Sequence, residues 1–195
     1  AGGEIISLDP GFTVYPEISI IHGRKPKKIG LRESDFLLDL DELERAITPD
    51  TQLIFLTRPN NPTSTLISIE DFATAARMGA EVGALVVSDE AYIEFSDIPG
   101  QSAVELLHKD PHTYHNVMFT RTMSKAFGLA NMRLGYAVAS PEVAGCLALA
   151  NAKWPTGAVA QAAGVAALND KAHLQETLQV VSRERKRMTD AFNKM

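Results

Sequence analysis

The sequence predicts an α/β fold of three layers, in which a mostly parallel sheet lies between helices. Two observations support this. Four short segments are almost continuously apolar, and segments with helical patterning alternate with them; the apolar segments are 52–57, 84–88, 116–120 and 134–139. Strands that are buried on both faces have such continuous apolar runs, which is typical of a parallel sheet covered by helices. The length of 195 residues allows one domain, or one and a fraction.

The first quarter of the chain predicts two strands and two helices. Residues 4–8 alternate like a strand that a turn closes, and residues 14–21 are apolar and favour a helix. A short strand is predicted over 27–31. Residues 40–47 place apolar side chains on one helical face, and Asp39 is suited to cap that helix.

Later segments predict longer helices. Ser68 is an N-cap candidate for a helix over 69–82, whose first turn carries two acidic residues that the helix dipole favours. An Ala-rich helix is predicted over 141–152, where Cys146 is interpreted as a small buried residue. Residues 158–195 are helical in pattern, with a break near Asn169 and Asp170. The chain starts without Met, so we expect it to be a piece of a longer protein.

Composition excludes several classes of function. The 19 basic and 24 acidic residues give a formal charge of −5, which excludes a nucleic-acid partner held by a broad cationic surface. The single cysteine allows no disulfide within the chain and fits a reducing compartment, so we expect a cytoplasmic protein. No apolar run reaches the roughly 18 residues of a membrane span, so we expect no membrane partner.

Polar residues follow three of the predicted strands. Asn60 and Asn61 come after residues 52–57, Asp89 and Tyr92 after 84–88, and the segment 121–125, then Arg133, after 116–120. Ligands of open α/β sheets bind at the carboxyl ends of strands. Each residue alone is more typical of a turn, a cap or a solvated surface. Their joint order predicts a binding site at one edge of the sheet.

No metal site is predicted. His108, His112 and His115 have spacings that could suit a metal, but Pro111 interrupts them and no cysteine or carboxylate cluster joins them. We therefore interpret them as solvated histidines.

Four separated blocks, in order, resemble one family. The chain looks like the fold-type I pyridoxal-phosphate (PLP) enzymes of the class I/II aminotransferase group, and within it is most similar to histidinol-phosphate aminotransferases. The resemblance covers nearly the whole chain. The matching blocks are Pro59-Asn-Asn-Pro-Thr63, Asp89-Glu-Ala-Tyr-Ile-Glu-Phe95, Arg121-Thr-Met-Ser-Lys-Ala-Phe-Gly-Leu-Ala130 and Arg133-Leu-Gly-Tyr136.

The resemblance implies the PLP-transferase large domain of the aspartate-aminotransferase type, with catalytic residues Lys125, Asp89 and Tyr92. Lys125 would form the Schiff base with PLP and later move a proton, because only a primary amine makes the imine. Asp89 would pair with the pyridinium nitrogen. The other implied cofactor contacts are Tyr92 and Asn61 at the 3′-oxygen, Arg133, Ser124 and Thr122 at the phosphate, and Phe12 stacked on the ring.

The resemblance also implies a division of the chain and a partner set. Residues 1–168 would form the PLP-binding large domain, incomplete at its N-terminus, and residues 169–195 a connector helix toward a small domain outside the chain. The implied reaction is transamination between an amino donor, an amino acid or amino-phosphate of amino-acid biosynthesis, and a 2-oxo acid acceptor. The full-length form would be a homodimer.

Two departures from the family pattern keep alternatives open. Ser64 stands where the family loop has glycine, and residues 154–157 differ from histidinol-phosphate aminotransferases. A PLP-dependent decarboxylase or lyase of the same fold, like the threonine-phosphate decarboxylases, would share Lys125, Asp89 and Arg133. A catalytically incomplete fragment that binds PLP weakly or not at all is the third alternative.

Overall fold

The computed structural model describes residues 2–98, 102–151 and 154–195. Its centre is a six-stranded sheet with the order β2-β1-β3-β4-β5-β6. Neighbouring strands pair in parallel except β5 and β6, which are antiparallel. The prediction of a mostly parallel sheet is therefore confirmed. The strands are β1 (Glu4–Asp9), β2 (Lys25–Gly30), β3 (Thr51–Thr57), β4 (Leu85–Asp89), β5 (Val117–Thr122) and β6 (Gly135–Ala139).

Helices connect the strands and continue beyond the last one. Short 3-10 turns follow β4 and precede β6. The helices are α1 (Val14–Ile21), α2 (Leu40–Ala46), α3 (Ile69–Glu81), α4 (Val104–Lys109), α5 (Pro141–Ala150), α6 (Ala158–Asn169) and α7 (Lys171–Phe192).

Helices lie on both faces of the sheet, which gives the three layers. Ile54 and Leu56 of β3 pack in the main core together with side chains of α2, α3 and α4, such as Phe72. Phe55, between them, points to the opposite face because side chains alternate along a strand. There its ring stacks on Tyr15 of α1, with centroids 4.2 Å apart.

Two helices begin at the N-caps that the sequence predicts. The Asp39 carboxylate accepts the backbone N–H of Glu42 at 3.0 Å, and the Ser68 hydroxyl accepts that of Asp71 at 2.9 Å. Both bonds satisfy N–H groups that lack a partner within the first helical turn. The predicted helix break is confirmed too, since α6 ends at Asn169 and Asp170 caps α7.

Three elements differ from the sequence predictions. β2 begins at Lys25, two residues earlier than predicted, because an edge strand tolerates Pro26 and exposed lysines. Helix α4 was not predicted. Helix α5 ends at Ala150, and Ala152, where the predicted helix ended, lies outside the described residues.

The last third of the chain exposes much apolar surface. Every described residue of α5 and α7 is partly or fully exposed, and β6 is exposed on both faces. The interpretation of Cys146 as buried is therefore wrong, because no described element covers that side of α5. Among the described helices, none combines the length and the apolar character needed to cross a membrane.

Candidate active site

The sheet has a topological switch point between β1 and β3. The chain leaves β1 toward β2 at one edge and leaves β3 toward β4 in the opposite direction. Loops that diverge in this way open a crevice at the carboxyl ends of the strands, where α/β folds bind ligands. The turn after β1 carries Phe12, and the loop after β3 carries Asn61. The predicted binding edge therefore coincides with the crevice.

Two adjoining pockets occupy this crevice, and together they are lined by every residue that the family resemblance implies for the cofactor site. The first, of about 80 Å³, is lined by Phe12, Thr57, Asn61, Asp89, Ala91, Tyr92 and Lys125. The second, of about 350 Å³, is lined by Phe12, Asp89, Ala91, Thr120, Arg121, Thr122, Ser124, Lys125 and Arg133. Phe12, Asp89 and Lys125 border both pockets.

Asp89 lies at the end of β4, beside Thr57 of β3 and Thr120 of β5 in the sheet register. Both of its carboxylate oxygens have partners. The backbone N–H of Ala91 donates to Oδ1 at 3.0 Å, and the Tyr15 hydroxyl donates to Oδ2. These two bonds fix the plane of the carboxylate at the border of both pockets.

Tyr15 is a functional candidate that the sequence analysis missed. Its ring stacks on Phe55 and meets the Phe12 ring edge-on at 5.4 Å, so it contacts the two site residues Asp89 and Phe12 at once. Burial and the neighbouring Asp89 carboxylate raise the pKa of the Tyr15 phenol well above its ordinary value. The phenol therefore remains a hydrogen-bond donor to Asp89 at any physiological pH.

Lys125 is exposed and borders both pockets. Its Nζ lies 4.9 Å from the centroid of the Tyr92 ring. The Thr122 hydroxyl accepts the backbone N–H of Ser124 at 3.1 Å, which shapes the turn that presents Lys125. Arg133 is also exposed, and its guanidinium donates to the carbonyl of Ala130 at 2.8 Å. This side of the site thus carries two cations and two hydroxyls.

The loop after β3 closes on itself. The Asn60 N–H donates to the carbonyl of Thr65, and the Ser64 N–H donates to the carbonyl of Asn60, both at 2.8 Å. Ser64 has a φ of 60°, in the left-handed region. Serine stands here in place of the glycine of the family loop, and the position adopts the conformation that favours glycine.

We expect Ser64→Gly to stabilise the chain by about 0.5–1 kcal/mol, since glycine adopts this φ without the cost of a Cβ. Urea unfolding of the variant and the wild type measures the difference. Ser34→Gly is the matched control, because Ser34 is exposed and lies outside the left-handed region. A Ser64→Gly variant no more stable than the wild type would contradict the expectation.

Behind Asp89, a buried ionic network joins three strand ends. Glu90, the residue after Asp89, is 0% exposed. Arg121 donates to its Oε2 at 2.8–2.9 Å, and Arg58, also 0% exposed, lies 3.7 Å from its Oε1. Burial lowers the pKa of Arg58, and the charge of Glu90 opposes that shift. The network connects residues that follow or end β3, β4 and β5.

The described residues contain no group of three or more His, Cys, Asp or Glu side chains that could hold a metal ion. His108, His112 and His115 are each exposed, and the ring of His115 bonds the carbonyl of His112 at 2.8 Å.

Comparison with known proteins identifies the family. The model of the family described as aminotransferase class I and II matches residues 1–195. A histidinol-phosphate aminotransferase of Cupriavidus pinatubonensis is 37% identical over 196 residues, which cover 100% of this chain and 50% of that protein. An aromatic amino acid aminotransferase of Rhodococcus jostii is 41% identical, covering 98% of this chain and 51% of that protein.

A solved structure shows the same fold. The histidinol-phosphate aminotransferase of Clostridium acetobutylicum superposes with a TM-score of 0.89 at 26% identity, covering 99% of this chain and 56% of that one. The chain spans about half the length of the relatives it matches. The match of the family model over the whole chain means that the protein belongs to the class I and II aminotransferases, a family of PLP-dependent enzymes.

Proposed function

We propose that residues 1–195 form the cofactor-binding part of an aminotransferase, and that Lys125 holds PLP covalently. The observation that carries the proposal is the convergence of Lys125, Asp89 and Phe12 on the border of the same two pockets. The full-length protein is the complete chain that contains these residues. Its proposed reaction is the transfer of an amino group from an amino acid or amino-phosphate to a 2-oxo acid.

The residues present fit PLP in chemical type. A planar ring needs a flat apolar face, which Phe12 offers. A pyridinium nitrogen needs a carboxylate, and Asp89 is held in a fixed plane by two donors. An aldehyde needs a primary amine, and Lys125 is exposed and borders both pockets. A phosphate needs cationic and hydroxyl donors, which Arg133, Thr122 and Ser124 supply.

PLP, when bound, supplies a ring that accepts electrons from a substrate carbon. Asp89 would stabilise the protonated ring nitrogen, so that the ring keeps this capacity. Lys125 would hold the cofactor in the resting enzyme and then, as a free amine, move a proton between the substrate Cα and the cofactor C4′. Tyr92 and Asn61 would hydrogen-bond the 3′-oxygen of the cofactor.

The names of the relatives support an amino-phosphate or an amino acid as the donor. One relative is named for histidinol phosphate and another for aromatic amino acids. A PLP decarboxylase of the same fold is the second candidate, because it would use the same Lys125, Asp89 and Arg133. Dependence of turnover on a 2-oxo acid separates the two, since only transamination consumes one.

The remaining proposals concern the full-length protein. We propose a homodimer, in keeping with the family, in which residues 1–168 belong to the large domain and 169–195 connect to a small domain. A cytoplasmic location is proposed from the single cysteine, which fits a reducing compartment.

Borohydride reduction of the full-length protein with bound PLP is expected to label Lys125, because reduction converts the imine into a stable amine. Peptide mapping identifies the labelled residue. The control is Lys125→Ala, which should take no label and lose the visible absorbance of bound cofactor. A label on Lys109 or Lys153 would refute the assignment, and the absence of any label in the wild type would refute PLP attachment.

A further inference from the structure

Asn60, the neighbour of the proposed cofactor contact Asn61, is 3% exposed and fully engaged in hydrogen bonds. Its side-chain nitrogen donates to the carbonyl of Pro10 at 3.1 Å and to the hydroxyl of Thr63 at 2.8 Å. Its side-chain oxygen accepts from the hydroxyl of Thr57 at 2.5 Å. Because the Pro10 carbonyl can only accept, the orientation of the amide is unambiguous.

The bond to Pro10 spans the switch point of the sheet. The register between β1 and β3 ends at Ser7 and Phe55, so the two backbones separate beyond that pair. Pro10 lies in the turn that carries Phe12, and Asn60 lies in the loop that carries Asn61. The Asn60 side chain therefore connects the two loops whose residues line the smaller pocket.

The Asn60 amide nitrogen also begins a chain of hydrogen bonds that runs through two threonine hydroxyls in one direction. The Thr63 hydroxyl accepts a hydrogen bond from the Asn60 amide nitrogen. The hydroxyl oxygens of Thr63 and Thr65 lie 2.7 Å apart, and the Thr65 hydroxyl donates to the carbonyl of Phe36 at 2.8 Å. Because Thr65 uses its proton for Phe36, the Thr63 proton points to Thr65, and Thr63 is free to accept from Asn60. The direction of each bond thus requires an amide nitrogen at position 60.

We propose that Asn60 is a positioning residue. It sets the distance between the turn that carries Phe12 and the loop that carries Asn61, and thereby the position of the cofactor ring between them. The inference rests on the proposed binding of PLP. Thr57 strengthens it, because that residue lines the smaller pocket and also donates to the Asn60 oxygen. A shift of about 1 Å in groups that hold a reacting molecule is enough to weaken a site substantially.

The test uses Asn60→Asp and Asn60→Ala in the full-length protein, titrated with PLP in the apo form. No assay of turnover is needed for these two variants. The dissociation constant of PLP reports how tightly the cofactor binds, and the visible circular dichroism per bound cofactor reports the environment of its ring. The aspartate variant puts an oxygen against the Pro10 carbonyl, and the alanine variant removes the bridge. We expect the dissociation constant to rise about tenfold and the dichroism to change.

Asn116→Ala is the matched control. Asn116 is a buried asparagine whose amide bridges the carbonyls of Ala76 and Ala84, away from the pockets, so its loss lowers stability without moving the site. It should leave both readouts unchanged. Folded Asn60 variants with the dissociation constant and dichroism of the wild type would overturn the proposal, as would an equal effect in Asn116→Ala.

A second variant covers the case in which both Asn60 variants fail to fold. Thr63→Val keeps Asn60 but removes one of its acceptors, so weaker PLP binding with altered dichroism supports the proposal and unchanged values overturn it. A wild-type protein that binds no PLP would refute the proposed function itself. If the wild type binds PLP and the Asn60 variants show the same dissociation constant and dichroism, only the positioning role is refuted.

Discussion

Asp89→Asn in the full-length protein is expected to keep PLP bound and to lose turnover by about 10²–10³-fold, because an amide cannot stabilise a protonated ring nitrogen as a carboxylate does. The structure indicates that the variant will fold. The Ala91 N–H still has the amide oxygen to bond, and the amide nitrogen can replace Oδ2, since the Tyr15 hydroxyl can rotate from donor to acceptor. Steady-state rates and PLP content measure the two effects separately.

Two control variants separate chemistry from structure in this experiment. Asp50→Asn removes an equal charge at an exposed turn, and its rate should match the wild type. Tyr15→Phe keeps the carboxylate and removes its hydroxyl partner, so a smaller loss than that of Asp89→Asn is expected. Wild-type turnover in Asp89→Asn would show that this residue does not carry the proposed role.

Where a fold signal is local, the sequence was sufficient to predict it. The caps Asp39 and Ser68 and the apolar strand β3 each depend on neighbouring residues, and the structure confirms them. The antiparallel direction of β6 was not predicted, because a strand's direction depends on distant pairing, not on its own composition. The exposure of Cys146 has a similar cause, since burial depends on what covers a helix.

In the candidate site, too, residues marked by local sequence could be predicted, and residues that depend on distant contacts could not. Residues such as Asp89 and Lys125 could be placed in advance, because they follow strands that are visible in the sequence. Tyr15 could not, since its partner lies 74 residues away and its position in a helix start suggested nothing further. Asn60 was placed at the predicted binding edge but received no role of its own, although its amide spans two loops.

Glu90 was part of a recognised block but received no role, and the structure explains why it is buried. Its Oε1 accepts the backbone N–H of Ala103 at 2.8 Å and its Oε2 accepts the Ser102 hydroxyl at 2.8 Å, in addition to the two arginines. Both oxygens therefore face donors only. A buried carboxylate with this many partners offsets the cost of leaving water through hydrogen bonds and charge pairing.

Glu90→Gln is expected to destabilise the chain by about 3–5 kcal/mol, the usual cost of breaking a buried ion pair from one side. Either orientation of the glutamine amide points its nitrogen at donors, and Arg58 and Arg121 each lose one anionic partner, while Arg121 keeps its ion pair with Glu94 at 2.7 Å. Urea unfolding measures the loss, with the exposed Glu33→Gln as a control expected to stay within about 0.5 kcal/mol of the wild type. Equal stability of Glu90→Gln and the wild type would mean that hydrogen bonding alone, without the charge, holds the ends of β3, β4 and β5 together.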